Sequence, residues 1–195
     1  MQISTQQRVA VTQSALFGDS TGDYFNDAET VAGFPANLKI NVRQPIKYIT
    51  VIHGGVIDGI EIEYVKNDGQ TTSVCHGTSS RNFSDLYLKT STVAIGDNEN
   101  IIAVSGLHGS SRWGVRVLQL SFAICGSRTG QMRVVGPFGG GESVSTATPQ
   151  PFRVSANGSF FALGGYAIDS HYSVGQLKAV GENGGLYGLT FFEFA

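Results

Sequence analysis

Charge is scarce in this chain. Only 14% of its residues are Asp, Glu, Lys or Arg, and 13 basic against 15 acidic side chains leave a formal net charge of −2. Holding a phosphate backbone or an anionic bilayer requires clustered Lys and Arg, which are lacking, so neither nucleic acid nor membrane is expected as a partner. No apolar run approaches the ~20 residues of a membrane-crossing helix. The opening MQISTQQRVAVTQSALF lacks the basic start and apolar run of a secretory signal. The expected location is therefore the cytoplasm, or outside the cell after release without a classical signal peptide. Cysteine is nearly absent as well. Cys75 and Cys125 lie far apart, each in or beside an apolar strand-like segment, and are expected to be buried free thiols rather than a disulfide. Without a secretory signal, the sequons at Asn82 and Asn157 are read as chance.

Helical periodicity is also missing, since no ten-residue stretch spaces its apolar residues at 3.6. Glycine, by contrast, is abundant: 26 residues, the composition of many short strands joined by tight turns. A chain of 195 residues fits one domain and buries roughly 70% of its unfolded surface.

The strands are announced by a near-repeat. IKYITVIHGGVIDGIEIEY at 46–64 is echoed by GQLKAVGENGGLYGLTFFEF at 175–194, and each reads as one hairpin. Aligned from their downstream ends, Asp58, Gly59, Ile60, Ile62 and Tyr64 fall opposite Tyr187, Gly188, Leu189, Phe191 and Glu193. A third copy lies between them in NIIAVSGLHGSSRWGVRVLQLSFAI, where Leu118, Leu120 and Phe122 take the apolar positions and Gly109 is read as opening the turn. Alternate strand residues face opposite ways, so Ile60, Ile62 and Tyr64 can enter a core while Glu61 and Glu63 face out. A hairpin buries little by itself. Three alike would pack their apolar faces around a shared axis, an all-β prism or barrel. Between them, Asn67-Asp68-Gly69 and GDNEN at 96–100 are turn signals, LYL at 86–88 a short strand, and VVGPFGGGESVSTATPQPF a long loop without regular content. ALGGYAIDSHYSVG is read as the separator before the last hairpin.

Motifs of catalysis are lacking: no Gly-x-Ser-x-Gly, no phosphate loop with its Lys, no His-Glu-x-x-His. Glu61 and Glu63 stand roughly 6–7 Å apart on one strand face. That spacing mimics a retaining glycosidase, but carboxylates there ordinarily solubilise. No enzyme and no cofactor are expected. His53, His76 and His108 each precede a glycine without zinc-site spacing, and Asp19, Asp23 and Asp27 lack the EF-hand pattern and are read as a solvated turn, so no metal is expected.

Four segments in order, TGDYFND, IHGGVIDGIEIEY, GPFG and the closing hairpin, together resemble the jacalin-related lectins. The resemblance spans about 16–195, with 1–15 an extension or outer strand. It implies the β-prism I fold, three four-stranded Greek-key sheets about a pseudo-threefold axis, and metal-free sugar binding in a shallow pocket at one end. In that family the pocket is made by an N-terminal glycine loop, here Gly22, and a Gly-x-x-x-Asp loop in the last hairpin, here Asn183-Gly184-Gly185-Leu186-Tyr187 with tyrosine in place of the acid. A carboxylate accepts from vicinal hydroxyls while backbone N–H groups donate to the same ring. Tyrosine can stack or donate, but it cannot supply that bidentate acceptor. The first hairpin keeps the motif as Gly54-Gly55-Val56-Ile57-Asp58, with His76-Gly77-Thr78 as its pairing loop, Asp58 as acceptor and Gly55 and Val56 as N–H donors. The second hairpin has Arg112, Trp113 and Arg116, and Trp113 could stack on a sugar. Each has a plainer reading: Asp-Gly is a turn dipeptide, Tyr187 packs in a terminal strand, and Trp113 covers the hairpin against a guanidinium. The resemblance implies a non-enzymatic lectin for mannose- or glucose-type glycans, acting as a homo-oligomer. The alternative is a sugar-silent scaffold for protein interaction or self-association.

Overall fold

The computed structural model describes residues 10–79, 88–140, 149–169 and 184–195. The chain enters through β1 (Val11–Gln13), β2 (Phe17–Gly18), β3 (Asp23–Asn26) and one helical turn, α1 (Asp27–Thr30). It continues through β4 (Ile46–His53), β5 (Ile57–Val65), β6 (Thr71–Gly77) and β7 (Lys89–Ala94). Then follow β8 (Glu99–Ser111), β9 (Gly114–Gly126), β10 (Met132–Gly139), β11 (Gln150–Ser155), β12 (Phe160–Ile168) and β13 (Gly185–Phe194).

These strands form three antiparallel sheets with one wiring. The orders β6-β5-β4-β7 and β10-β9-β8-β11 each place the fourth strand beside the first, the Greek key. The remaining sheet, β1-β13-β12-β3, obeys the same order but joins both ends of the chain, and the short β2 continues β1 along the edge of β13.

The alternation that defines the strands also fills the prism. Ile60, Ile62 and Tyr64 on β5, Leu120 and Phe122 on β9, and Leu189 and Phe191 on β13 are all buried and meet in one core, while Glu61, Glu63, Gln119 and Ser121 are only half covered. Leu118, expected there too, is buried outside that cluster, because a bulge opposite Leu107 and His108 lets Val117 join it instead. In the third copy the position of Tyr64 and Phe122 falls to Glu193, which is half exposed at the chain end.

Five readings need correction. The strand that pairs with β13 as the first arm of the last hairpin is β12, with Leu163 opposite Phe191 and Gly165 opposite Leu189, and the expected arm at 175–183 lies outside the described residues. Gly164 and Gly165 look like loop residues, yet they lie inside a strand because a Cβ on Gly164 would come within 2.8 Å of the Phe192 ring. Gly109 lies within β8 opposite Arg116, and the turn is the two-residue Arg112-Trp113. Much of the supposed loop 134–152 is strand, since β10 carries Pro137 at a bulge between Val135 and Phe138, where no ladder N–H is needed. Both cysteines are free but half exposed. The LYL stretch falls mostly outside the described residues.

Asp27 is the last correction, for it is not solvated. With 1% of its surface exposed, it accepts hydrogen bonds from the Tyr64 hydroxyl at 2.7 Å and from His76 Nε2 at 3.0 Å. The Tyr64 oxygen in turn accepts the Leu163 N–H at 3.3 Å. This network ties α1, β5, β6 and β12 together. Burial, then the Asp27 charge, pushes the Tyr64 hydroxyl well above its ordinary pKa, so it stays a donor.

Tyr64→Phe strips a donor from Asp27 and an acceptor from Leu163 in a closed core, and should cost about 1–3 kcal/mol in urea unfolding. A variant within 0.3 kcal/mol of wild type would show the network idle. A second pair gives a pH signature. Glu99 accepts from Arg133 at 3.0 and 2.7 Å and from the Gly96 N–H at 2.8 Å. The Arg133 hydrogen bonds, then that N–H, lower its carboxyl to about 2. A folded pKa below the unfolded one means stabilisation present above about 4.5 and lost as pH falls toward about 2. The pair is solvent-screened, so the contribution is about 1 kcal/mol or less. The melting-temperature gap between wild type and Glu99→Gln should shrink as pH drops from 6 to 3; a constant gap would contradict the assignment.

Candidate functional site

Strand direction gathers several loops at one end of the prism. There β4 turns into β5 at 54–56, β6 ends in His76-Gly77, β8 turns into β9 at Arg112-Trp113, β13 begins at Gly185, and β3 begins just after Gly22.

Gly77 is where they meet. It pairs with Gly59 across the ladder, and the Thr78 N–H donates to the Asp58 backbone oxygen at 3.0 Å. Its φ is +82°, and a Cβ would stand 2.6 Å from the Asp58 oxygen and 2.7 Å from the Leu186 nitrogen. Only glycine lets the loop of the first hairpin touch the start of β13 this closely. Gly185, at φ +116°, is equally confined, its missing Cβ falling 2.6 Å from Arg116 Nη1 and 3.1 Å from the Asp58 oxygen. Gly22, at φ +96°, presses on Ala167 O, where a Cβ would sit at 2.5 Å. Gly54 and Gly55, by contrast, do not use positive φ. Gly54 N–H donates within its own turn to Val56 O at 3.0 Å, Val56 itself is buried, and Asp58 is half exposed. The structure therefore brings Gly54 to Asp58, His76-Gly77 and Gly184 to Tyr187 into one cluster; Asn183 lies outside the described residues.

Arg116 shapes this cluster from beneath. Its guanidinium is 1% exposed and enters from the second hairpin. It donates to Gly184 O at 3.1 Å from both terminal nitrogens, to Leu186 O at 3.4 Å, and through Nε to Trp113 O at 3.1 Å. It also lies 3.9 Å from the centre of the Tyr187 ring. Tyr187 is left 6% exposed, with one face covered by a cation. Trp113 is half exposed, with the Arg112 guanidinium 4.1 Å from its ring centre.

Two residues at this end escaped the sequence reading. Asp169, exposed one residue past β12, accepts the Gly77 N–H on Oδ1 at 2.7 Å. It borders a shallow pocket with Asp23, Tyr24, Asn26, His76 and Ala167. Tyr24 is 52% exposed at the rim, tilted against Tyr166 at 5.3 Å, while Phe25 stacks on His76 at 3.6 Å to form the floor. Asp169 stands outside every repeated motif. Only the register that sets Ala167 opposite Asp23 brings it beside the glycine loop.

His53 has a structural task. Its Nδ1 accepts the Gly139 N–H at 3.1 Å and its Nε2 meets the Ser91 hydroxyl at 2.9 Å. Burial, then Lys89, lowers its pKa, consistent with a neutral ring that accepts on Nδ1. Among the described residues, no three His, Cys, Asp or Glu side chains are grouped as metal ligands would be.

The end of the prism thus offers carboxylates, close-packed backbone amides and an exposed aromatic rim. Known proteins share this architecture. The mannose-binding lectin from Champedak superposes with a TM-score of 0.62 at 18% identity, covering 95% of this chain and 97% of that one. A mannose-specific jacalin-related lectin from Morus nigra, solved in complex with mannose, gives 0.60 at 19% identity over 100% and 99% of the two chains. Malaysian banana lectin gives 0.60 at 16% identity over 95% and 99%. Comparison with curated protein sequences finds no significant match. At these identities the structural neighbours show the fold alone, but the family model for the jacalin-like lectin domain matches residues 14–176 of the sequence itself. The chain belongs to the jacalin-like lectin domain family.

Proposed function

We propose that this protein is a non-enzymatic lectin that binds mannose- or glucose-type glycans without a metal ion, at the prism end built around Gly77. The observation that carries this reading is the meeting of Asp58, Asp169 and the start of β13 on one glycine. The Asp169 carboxylate is fixed by the Gly77 N–H, and the Asp58 backbone is fixed by Thr78. A pyranose presents vicinal hydroxyls that need fixed acceptors on one side and N–H donors on the other, together with an apolar face that suits an exposed aromatic such as Tyr24. Asp58 and Asp169 serve as acceptors in this reading, and the loop amides of Gly55 and Val56 as donors.

The family mannose and glucose sites use an acid in the last hairpin, and here Arg116 and Tyr187 occupy that ground. The burden therefore moves to the first hairpin and to Asp169. Monosaccharide affinity should be weak, millimolar or about 4 kcal/mol, because few groups reach a small exposed ligand. Useful avidity then comes from a homo-oligomer that displays several sites, in the cytoplasm or after release without a classical signal peptide. The burial of Tyr187 under Arg116 also favours a second reading, a lectin-like scaffold that ignores sugar and engages proteins or itself.

A glycan array with free mannose and galactose as competitors separates the two. The lectin reading expects binding competed by mannose, reduced about tenfold by Asp58→Asn and by Asp169→Asn, the scale of one charged hydrogen bond. Both variants should melt within a few degrees of wild type. A blank array at high protein concentration would favour the scaffold. Binding unchanged in both variants would move the sugar away from this end.

A further inference from the structure

The opposite end of the prism carries a groove of about 620 Å³ that the loop site does not use. All three sheets contribute to it. The turn 41–44 enters β4, Asn98 to Asn100 enter β8, Cys125 to Ser127 leave β9, Gly158 and Ser159 enter β12, and Phe194 ends β13.

The chemistry of its walls is one-sided. Arg43 and the amides Asn41, Gln44, Asn98 and Asn100 line it, and among the described residues no Asp or Glu does. Two neighbouring carboxylates are turned to other work, Glu99 holding Arg133 and the Gly96 N–H and Glu193 accepting the Asn157 N–H at 2.6 Å, while the exposed Asp97 stands outside the lining. The Arg43 guanidinium, exposed at the groove, has no hydrogen-bond or ion-pair partner among the described residues.

The walls are also held in place before any ligand arrives. Asn41 Oδ1 accepts the Arg43 N–H at 3.0 Å, and Gln44 Nε2 donates to Gly96 O at 3.0 Å. Asn98 O accepts the Ser127 N–H at 2.6 Å and the Ser127 hydroxyl at 2.9 Å. Asn98 holds φ at +68°, the left-handed region that Asn tolerates better than most residues. The Asn100 amide, with its nitrogen donating to Glu99 O at 3.1 Å and Arg43 O at 3.2 Å, keeps its oxygen as an acceptor. Phe194 stacks one face on Phe161 at 4.1 Å, and its half-exposed ring forms part of the wall.

We infer that this groove binds a carboxylate-bearing saccharide, a hexuronic acid residue, at a second site independent of the loop end. A guanidinium presents parallel N–H donors that match a carboxylate in both geometry and charge. Amide side chains both donate and accept, as ring hydroxyls require, and an aromatic face suits the apolar side of a pyranose. One cation balances one carboxylate.

Amide-resolved NMR titrations with methyl α-D-glucuronide and methyl α-D-glucoside, which differ only at C6, test this. The glucuronide should saturably shift the amides of Asn98, Asn100, Ser127 and Phe194, and the glucoside should leave them still. Arg43→Gln, at an exposed site, should weaken the glucuronide about tenfold or more, and Asn98→Gly, which keeps the positive φ, severalfold. Asp58→Asn should change nothing in the groove. Shifts confined to Gly77 and Leu186, equal shifts from both sugars, or unchanged affinity in Arg43→Gln would each overturn the inference. A glucoside that shifts no amide at the loop end, alongside a responsive groove, would count against the lectin reading of that end while leaving this one standing.

Discussion

A carboxylate buried between two sheets is the constraint on which the rest of this prism is arranged. Asp27 cannot remain inside the protein unless its oxygens are satisfied, and Tyr64 and His76 satisfy them from the neighbouring sheet. That requirement fixes β6 against the start of α1, with Phe25 stacked on the His76 ring. Gly77 follows His76 directly in the chain. Its position against Asp58, Leu186 and Asp169 is thus inherited from a polar contact in the core. Hydrophobic packing closes the prism, but this one polar network sets how two of its faces register at the end where the loops converge.

Much of this was legible in the residues, and the failures have physical causes. Period-two alternation in β5 and β9 revealed the strands, their inward faces and the first two hairpins, because a strand with one buried face must alternate. The third hairpin was legible only in its second arm. Its true partner, β12, carries Gly164 and Gly165, and a glycine demanded by close backbone approach looks the same in sequence as one demanded by a turn. The strand content around Pro137 was hidden likewise, since a bulge tolerates the proline that normally argues against a strand. Asp27 read as one of several acidic turn residues, because burial depends on partners 37 and 49 positions away. Asp169 and Arg116 reach the loop end only through tertiary register, which no local pattern encodes.

Arg116 organises the start of the last strand from beneath. The carbonyls of Gly184 and Leu186 at the start of β13 need donors, and a guanidinium threaded from the second hairpin supplies them from below. Its charge is then spread over those carbonyl dipoles, the Trp113 carbonyl and the face of Tyr187. The result is a loop held rigid by a buried cation. In the proposed reading, ligand recognition at this end passes from the last hairpin to Asp58, on the first hairpin, and to Asp169.

The antiparallel wiring gives the two ends of the prism different chemistry from one set of strands. At the loop end the carboxylates Asp23 and Asp169 gather beside Tyr24, and Asp58 meets the same corner through its backbone oxygen. At the far end the groove shows amides and Arg43, which has no partner among the described residues, while Glu99 and Glu193 are committed to neighbouring donors. With a net charge of only −2, the chain as a whole exerts little long-range pull on any ligand. Discrimination must then come from short-range complementarity at each end. In the readings proposed for the two ends, acceptors at one suit neutral, hydroxyl-rich rings, whereas the Arg43 guanidinium among amides at the other suits a ring that carries its own negative charge.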